Sequence, residues 1–243
     1  DQEQLHAKTR LDDLEGDIYR TLLSMGSDIE LEVSDRFPRI LRRVSGYNLD
    51  ELFGDGGFDS ARFVIGSEGT LVTIVEAKLR LVPIPEHKGL VVLHFDDIFE
   101  SMEATVDLLD YSPAAVELID DMILREARNN LEYSRLMDFV QGEPVAALIV
   151  EMQGESDVEV ESALKSIKRR MSKKRLGYAA NIVLDAQRQS DVWAVRKAGL
   201  GLMMNVEGDA KPLPFVEDTA VAPEILPEYM RRFDEIVRNN NTT

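Results

Sequence analysis

Cysteine is absent from the 243 residues. That excludes disulfides, thiolate catalysis, zinc–thiolate sites and iron–sulfur clusters within this chain. Histidine is scarce. His6, His87 and His94 are the three, and no two stand at the HxH or HxxxH spacing of a metal pair. No metal site is expected, and each histidine reads as structural or surface. Basic charge is in the minority: 28 Lys and Arg face 45 Asp and Glu, for a net charge of −17. Such a chain lacks the basic face that nucleic-acid phosphates or anionic lipids require, so neither is an expected partner. The acidity reads as a solubility device. No apolar run approaches the roughly 20 residues that span a bilayer. No signal peptide opens the chain. The expectations are no transmembrane segment and a cytoplasmic location.

What is present is an ordinary globular composition, 44% hydrophobic, with length for one large domain or two modest ones. Leu11, Leu14, Ile18 and Leu22 keep helical spacing and predict an amphipathic helix over 4–26. "GDGGFDS" (54–60) reads as a loop. "TLVTIVEAKLRLV" alternates like a strand and is stopped by Pro83-Ile84-Pro85. A domain boundary is placed there, dividing 1–85 from 86–243. Beyond it strand-like and helix-like segments alternate. "GLVVLHF", "AAVELID", "PVAALIVEMQG", "YAANIVLD" and "PLPFVEDTAV" read as strands, each followed by a helical pattern. Such alternation predicts a sheet covered by helices. "KRRMSKKR" (168–175) reads as a solvated helix end, and Met203 and Met204 as core. Glu217 and Asp218, adjacent on an expected strand, would point to opposite faces.

"GSEGT" (66–70) interrupts this pattern between two apolar runs. A Gly-x-x-Gly break lets a backbone or a ligand approach closely, or makes a bulge or tight turn. Ser67 and Thr70 add hydroxyls, and the N–H groups of Glu68 and Gly69 suit an anion or a carbonyl-rich ring. The stretch is neither a dinucleotide fingerprint nor a P-loop.

"GSEGTLVTIVEAKLRLVPIP" resembles the signature of FAD-linked oxidases of the vanillyl-alcohol-oxidase type. Upstream, "RRVSGYNLDEL" resembles the same family's Ser/Thr-Gly-Tyr-Asp/Asn-Leu motif, and "WAVRKA" and "KPLPFVEDTAV" resemble two motifs of its cap domain. The four stand in family order and cover most of residues 36–238. Within the family the resemblance is to D-2-hydroxyglutarate, D-lactate and glycolate dehydrogenase-like members. Val72 departs from a glycine common in the family.

The resemblance implies an α+β fold: the end of an FAD-binding domain joined to a cap domain whose mainly antiparallel sheet is covered by helices. It implies FAD as cofactor of the intact protein, with no FAD binding expected of this chain alone, and a small-molecule 2-hydroxy acid as substrate. Gly66, Ser67, Glu68, Gly69 and Thr70 become FAD contacts, with Ser45 and Tyr47 near the flavin or substrate. Arg42, Arg43, Arg196 and Lys211 become candidates for the substrate carboxylate, which a guanidinium matches bidentately. No catalytic base is assigned. The family's FAD phosphate loop and its late histidine motifs are not recognised in the chain. The expectation is therefore a fragment, cap C-terminally incomplete, of a flavin-dependent dehydrogenase or oxidase, inactive alone and homo-oligomeric in its intact form. The alternative is a non-catalytic cap-like binding or interaction module.

Overall fold

The computed structural model describes residues 2–40, 43, 46–54, 57–204, 208 and 216–241. The chain divides into two compact units: Asp1–Arg80 with Val216–Ala222, and Leu81–Phe215 with Pro223–Thr243. The division falls after Arg80, a few residues ahead of the proline stop at which the sequence placed it.

The first unit begins with α1 (Gln2–Thr9) and α2 (Leu14–Arg36), not the single helix over 4–26 that the spacing predicted. Aspartate explains the break. Asp13 caps α2 by accepting from the Gly16 N–H at 2.9 Å, which halts helical backbone before it. Arg20 then donates to the carbonyls of Thr9 (2.6 Å) and Leu11 (2.7 Å), tying the turn down. Only glycine fits at position 16, where a Cβ would lie 2.1 Å from the Leu11 carbonyl oxygen. α3 (Leu49–Leu52) follows. The expected loop at 54–60 contains a two-residue hairpin, β1 (Phe53–Gly54) with β2 (Gly57–Phe58), and the start of α4 (Ser60–Val64).

The strand expected over 71–81 is not formed. No described strand pairs with it, and Val75, Leu79 and Leu81 are 95%, 80% and 86% exposed. Alternating β-branched residues confer fitness for a ladder, but a ladder needs a partner edge to satisfy its N–H and C=O groups.

The second unit is built on four antiparallel strands: β3 (His87–Phe95), β4 (Ala115–Asp120), β5 (Ala146–Gly154) and β6 (Ala179–Val183), in the order β4-β5-β3-β6. Register brings Leu93 opposite Leu148 and Leu90 opposite Val183. Both faces are covered, so the central strands β3 and β5 are apolar almost throughout. On one face Val91, Leu93 and Phe95 pack with α5 (Ile98–Leu108) and α7 (Asp157–Lys174). On the other, Leu90 and Val92 pack with α6 (Asp121–Asn129) and α8 (Ala186–Met204). α9 (Leu226–Asn239) lies against α5 through an Arg231–Glu103 pair at 2.6 Å.

The spacing of α7 shows why it docks. Val160, Leu164, Ile167 and Met171 recur at helical intervals and are all buried, each contributing about 1.5–3 kcal/mol. Ser156 caps its start. Its basic end is not merely solvated. Arg170 holds Asp107 of α5 bidentately (2.5 and 2.6 Å) and Asp110 at 2.7 Å, while Lys174 also reaches Asp107. The hydrogen bonds from Arg170 hold the Asp107 carboxyl below its ordinary range.

Two further readings are corrected on α8 and beyond. Met204 is 46% exposed rather than core, because α8 buries the face carrying Val192, Val195, Gly199 and Leu202. The first four residues of the strand expected over 212–221 lie outside the described residues, and the other six, 216–221, do not form a strand. Asp218 has φ +49°, so the opposite-face argument for Glu217 and Asp218 loses its basis.

Candidate functional site

In the first unit, α4 is started by Asp59, whose carboxylate accepts from the N–H groups of Ala61 (3.0 Å) and Arg62 (3.1 Å). It runs five residues and stops. "GSEGT" therefore follows a helix and does not interrupt a strand. Gly66, Glu68 and Gly69 take φ of +77°, +49° and +76°. Three left-handed residues in four reverse the chain tightly, which explains both glycines. Glu68 holds the conformation without glycine's freedom, an uncommon arrangement. The turn closes on Thr70: its N–H donates to the Ser67 carbonyl at 2.9 Å and its hydroxyl to the same oxygen at 2.6 Å. Because the Thr70 hydroxyl donates there, it accepts from the Tyr47 hydroxyl at 2.9 Å.

The structure thus joins Tyr47 to the turn, 23 residues away in sequence. The Tyr47 ring meets buried Phe63 edge-on at 6.3 Å. Asn48 was not singled out from the sequence. Its side-chain amide donates to the carbonyls of Ile65 (2.9 Å) and Arg62 (3.4 Å), satisfying the open end of α4. The signal was its place in "SGYNL" beside Tyr47. Ser67 is buried, whereas Glu68, Gly69 and Thr70 are exposed. A Cβ at Gly66 or Gly69 would meet nothing within 4 Å, so the outer side of the turn is open to a flat group.

The expected carboxylate binders separate. Arg42, Ser45 and Lys211 lie outside the described residues. Arg43 is committed to Asp50 at 2.7 Å and covers the Phe37 ring at 5.3 Å. Arg196, in the second unit, leaves α8 and meets Glu117 of β4, its Nε–H donating to Oε2 at 3.0 Å and its Nη2 lying 2.9 Å from the same oxygen. An open groove of about 590 Å³ is lined by Ala115, Glu151, Trp193 and Lys197, among others, from the same strand and helix but without Arg196 or Glu117. Trp193 packs partly buried against the core.

His94 and His87 are each engaged by neighbouring groups. His94 is fully buried, its Nδ1 donating to the Ala179 carbonyl (3.4 Å) and its Nε2 accepting from the Gln141 N–H (3.2 Å). Burial pushes its pKa below the ordinary value. His87 pairs with Asp157 at 2.8 Å.

Comparison with known proteins decides the lineage. Residues 84–243 match the family described as FAD linked oxidases, C-terminal domain. The chain belongs to this family. A D-2-hydroxyglutarate dehydrogenase of Pseudomonas putida is 29% identical over 227 residues, which is 90% of this chain and 22% of that protein. The enzyme of the same name from Escherichia coli is 28% identical, again over 90% of this chain and 22% of its own length. A probable mitochondrial D-lactate dehydrogenase of Danio rerio is 32% identical over 46% of this chain and 21% of that protein. The chain therefore spans about a fifth of the length of these relatives. As an FAD-linked oxidase C-terminal domain, it has the expected α+β fold, with the antiparallel sheet covered by helices. Arg196 and the groove lie inside the matched region, and the Gly66–Thr70 turn precedes it. Among the described residues no helix is long and apolar enough to cross a membrane.

Proposed function

We propose that this chain is part of a flavin-dependent dehydrogenase that oxidises a small 2-hydroxy acid of the D-2-hydroxyglutarate or D-lactate type. The observation that carries the reading is the match over 90% of the chain to proteins named D-2-hydroxyglutarate dehydrogenase. In this reading residues 1–85 end the flavin domain and 86–243 form the substrate cap. Bound FAD would supply the acceptor for the hydride that leaves the α-carbon.

The open, left-handed turn at Gly66–Thr70 fits a flat ring, since glycine backbone admits close approach where a side chain would not. Tyr47 and Asn48 would hold that turn in place. Ser45, two residues before Tyr47 in the same motif, would be a further flavin or substrate contact. The exposed apolar segment after the turn would find its ladder partner in the remainder of the flavin domain. Arg196 would grip the substrate carboxylate, with Arg42 and Lys211 as further cations. The proposal places the working protein in the cytoplasm as a homo-oligomer. No observation favours the non-catalytic module.

The test is the visible spectrum of the purified chain after incubation with excess FAD and gel filtration, paired with a dye-coupled assay on D-lactate and D-2-hydroxyglutarate. A colourless chain is expected from the fragment reading, and in the full-length protein a flavin band lost in Gly69→Val is the expected mark of the turn. Absent turnover by this chain is expected alongside it. Turnover by the chain alone would refute the view that it is one part of the catalytic unit. A flavin band unaffected by Gly69→Val would remove the turn from the site.

A further inference from the structure

We propose that Glu117 is a positioning residue for Arg196, holding the guanidinium in one orientation toward an acidic ligand. The inference rests on the reading of Arg196 as the carboxylate binder, and goes beyond it by assigning Glu117 a function.

The placement of Glu117 calls for an explanation. β4 pairs with β5 so that Glu117 faces Ile149, and Ile149 lies opposite Val92 of β3. Ile149 and Val92 are fully buried under α6 and α8. An apolar residue at 117 would extend that row, and a carboxylate forgoes the burial. Stability does not supply the compensation. The pair is 39% and 40% exposed, and ion pairs at that exposure add little to folding.

Geometry supplies a reason. One carboxylate oxygen, Oε2, accepts the Nε hydrogen at 3.0 Å and lies 2.9 Å from Nη2, a contact along the Nε–Nη2 edge that restricts the orientation of the guanidinium. Nη1 has no partner among the described residues, so the contact leaves that nitrogen available. A groove lined by Ala115, Trp193 and Lys197, and also by Glu151, is formed by the same strand and helix without including the pair itself: Ala115 precedes Glu117 by two residues on the same strand face, and Trp193 and Lys197 stand three residues before and one after Arg196 on α8. Without Glu117 a long, half-exposed arginine samples many rotamers and must be ordered by the ligand at the ligand's expense. Glu117 therefore makes two opposed contributions. Its contact pre-orders Arg196, and its negative charge weakens the attraction for an anion. Glutamine separates them, because its carbonyl oxygen still accepts the Nε–H while the charge is gone.

The experiment is an NMR titration of the chain with D-2-hydroxyglutarate, followed at the Trp193 indole and the Arg196 Nε–H, for wild type, Arg196→Ala, Glu117→Ala and Glu117→Gln. Melting temperatures are taken for each. Arg196→Ala is expected to abolish the response. Glu117→Ala is expected to weaken affinity about tenfold and to broaden or lose the Nε–H signal, with melting almost unchanged. Glu117→Gln is expected to keep that signal and to bind at least as tightly as wild type. A merely structural bridge would lower melting in both Glu117 variants and move affinity in neither. Glu117→Ala binding as tightly as wild type, or as tightly as Glu117→Gln, overturns the positioning role alone. A wild type that does not respond, or an Arg196→Ala that responds normally, overturns the reading of Arg196 and this inference with it.

Discussion

Leu164 and Gly89 offer a quantitative test of the packing that fixes the sheet. Leu164 is fully buried on α7, and its Cδ1 sits where a Cβ on Gly89 of β3 would come within 2.8 Å. Leu164→Ala removes that side chain and leaves a cavity between helix and sheet. Core truncations of this kind cost about 2–5 kcal/mol, and a site walled by regular elements on both sides relaxes little, so about 3 kcal/mol is expected. Gly89→Ala does the opposite. Its new methyl would press on Leu164 Cδ1 and on Val160 Cγ1 and Leu184 Cδ2, both 3.0 Å away. The two leucine methyls can swing aside but the β-branched Val160 cannot, so the cost is about 1–2 kcal/mol. The double variant decides the cycle, since the methyl that Gly89→Ala introduces occupies space that Leu164→Ala vacates. Its loss should be smaller than the sum of the single losses by about 1 kcal/mol. Urea denaturation followed by the fluorescence of Trp193, the one tryptophan and a residue of the same unit, reads the second unit selectively. Strict additivity within about 0.3 kcal/mol would refute the claim that Leu164 and Gly89 share one contact.

Other outcomes follow from the titratable groups. His94 has its pKa depressed by burial, so the folded chain resists the proton that the unfolded chain accepts near pH 6.5. Its contribution is whole above that pH and is lost as pH falls toward the folded value, with a slope of at most about 1.4 kcal/mol per pH unit. The urea midpoint should fall between pH 7.5 and 5, and His94→Gln should flatten that slope; an unchanged slope would remove His94 as its source. Asp107, also depressed, stabilises above its ordinary range near 3.8, and the effect fades as pH drops through the folded value. Asp107→Asn should lower melting at pH 7 by roughly 2–4 °C, with the gap to wild type closing in strong acid. A gap that stays constant with pH would mean that charge is not what Asp107 contributes.

Much of the second unit is legible in the sequence because its strands are buried on both faces. "GLVVLHF" and "AALIVEMQG" can be satisfied in few other ways than as central strands. The same logic fails at 71–81. Alternation there is as good, but it reports suitability for a ladder and says nothing of a partner. The break between α1 and α2 turned on the local competition of Asp13 with helical backbone, which the spacing of Leu11, Leu14 and Ile18 hid. The glycines of "GSEGT" announced an unusual backbone; that it closes a helix through Asn48 and Tyr47 was not visible.

The division has a physical cause. By itself the sequence determined composition, the exclusion of cysteine chemistry, the apolar strands and the need for special backbone at Gly66 and Gly69, because each depends on residues near in the chain or on totals. Tertiary structure alone decided that Arg196 meets Glu117 across 79 positions, that Arg170 locks Asp107 across 63, and that His94 is sealed between Gln141 and Ala179. Those partners are set by strand order and helix placement, and a charge or an imidazole carries no local mark of the group it will meet.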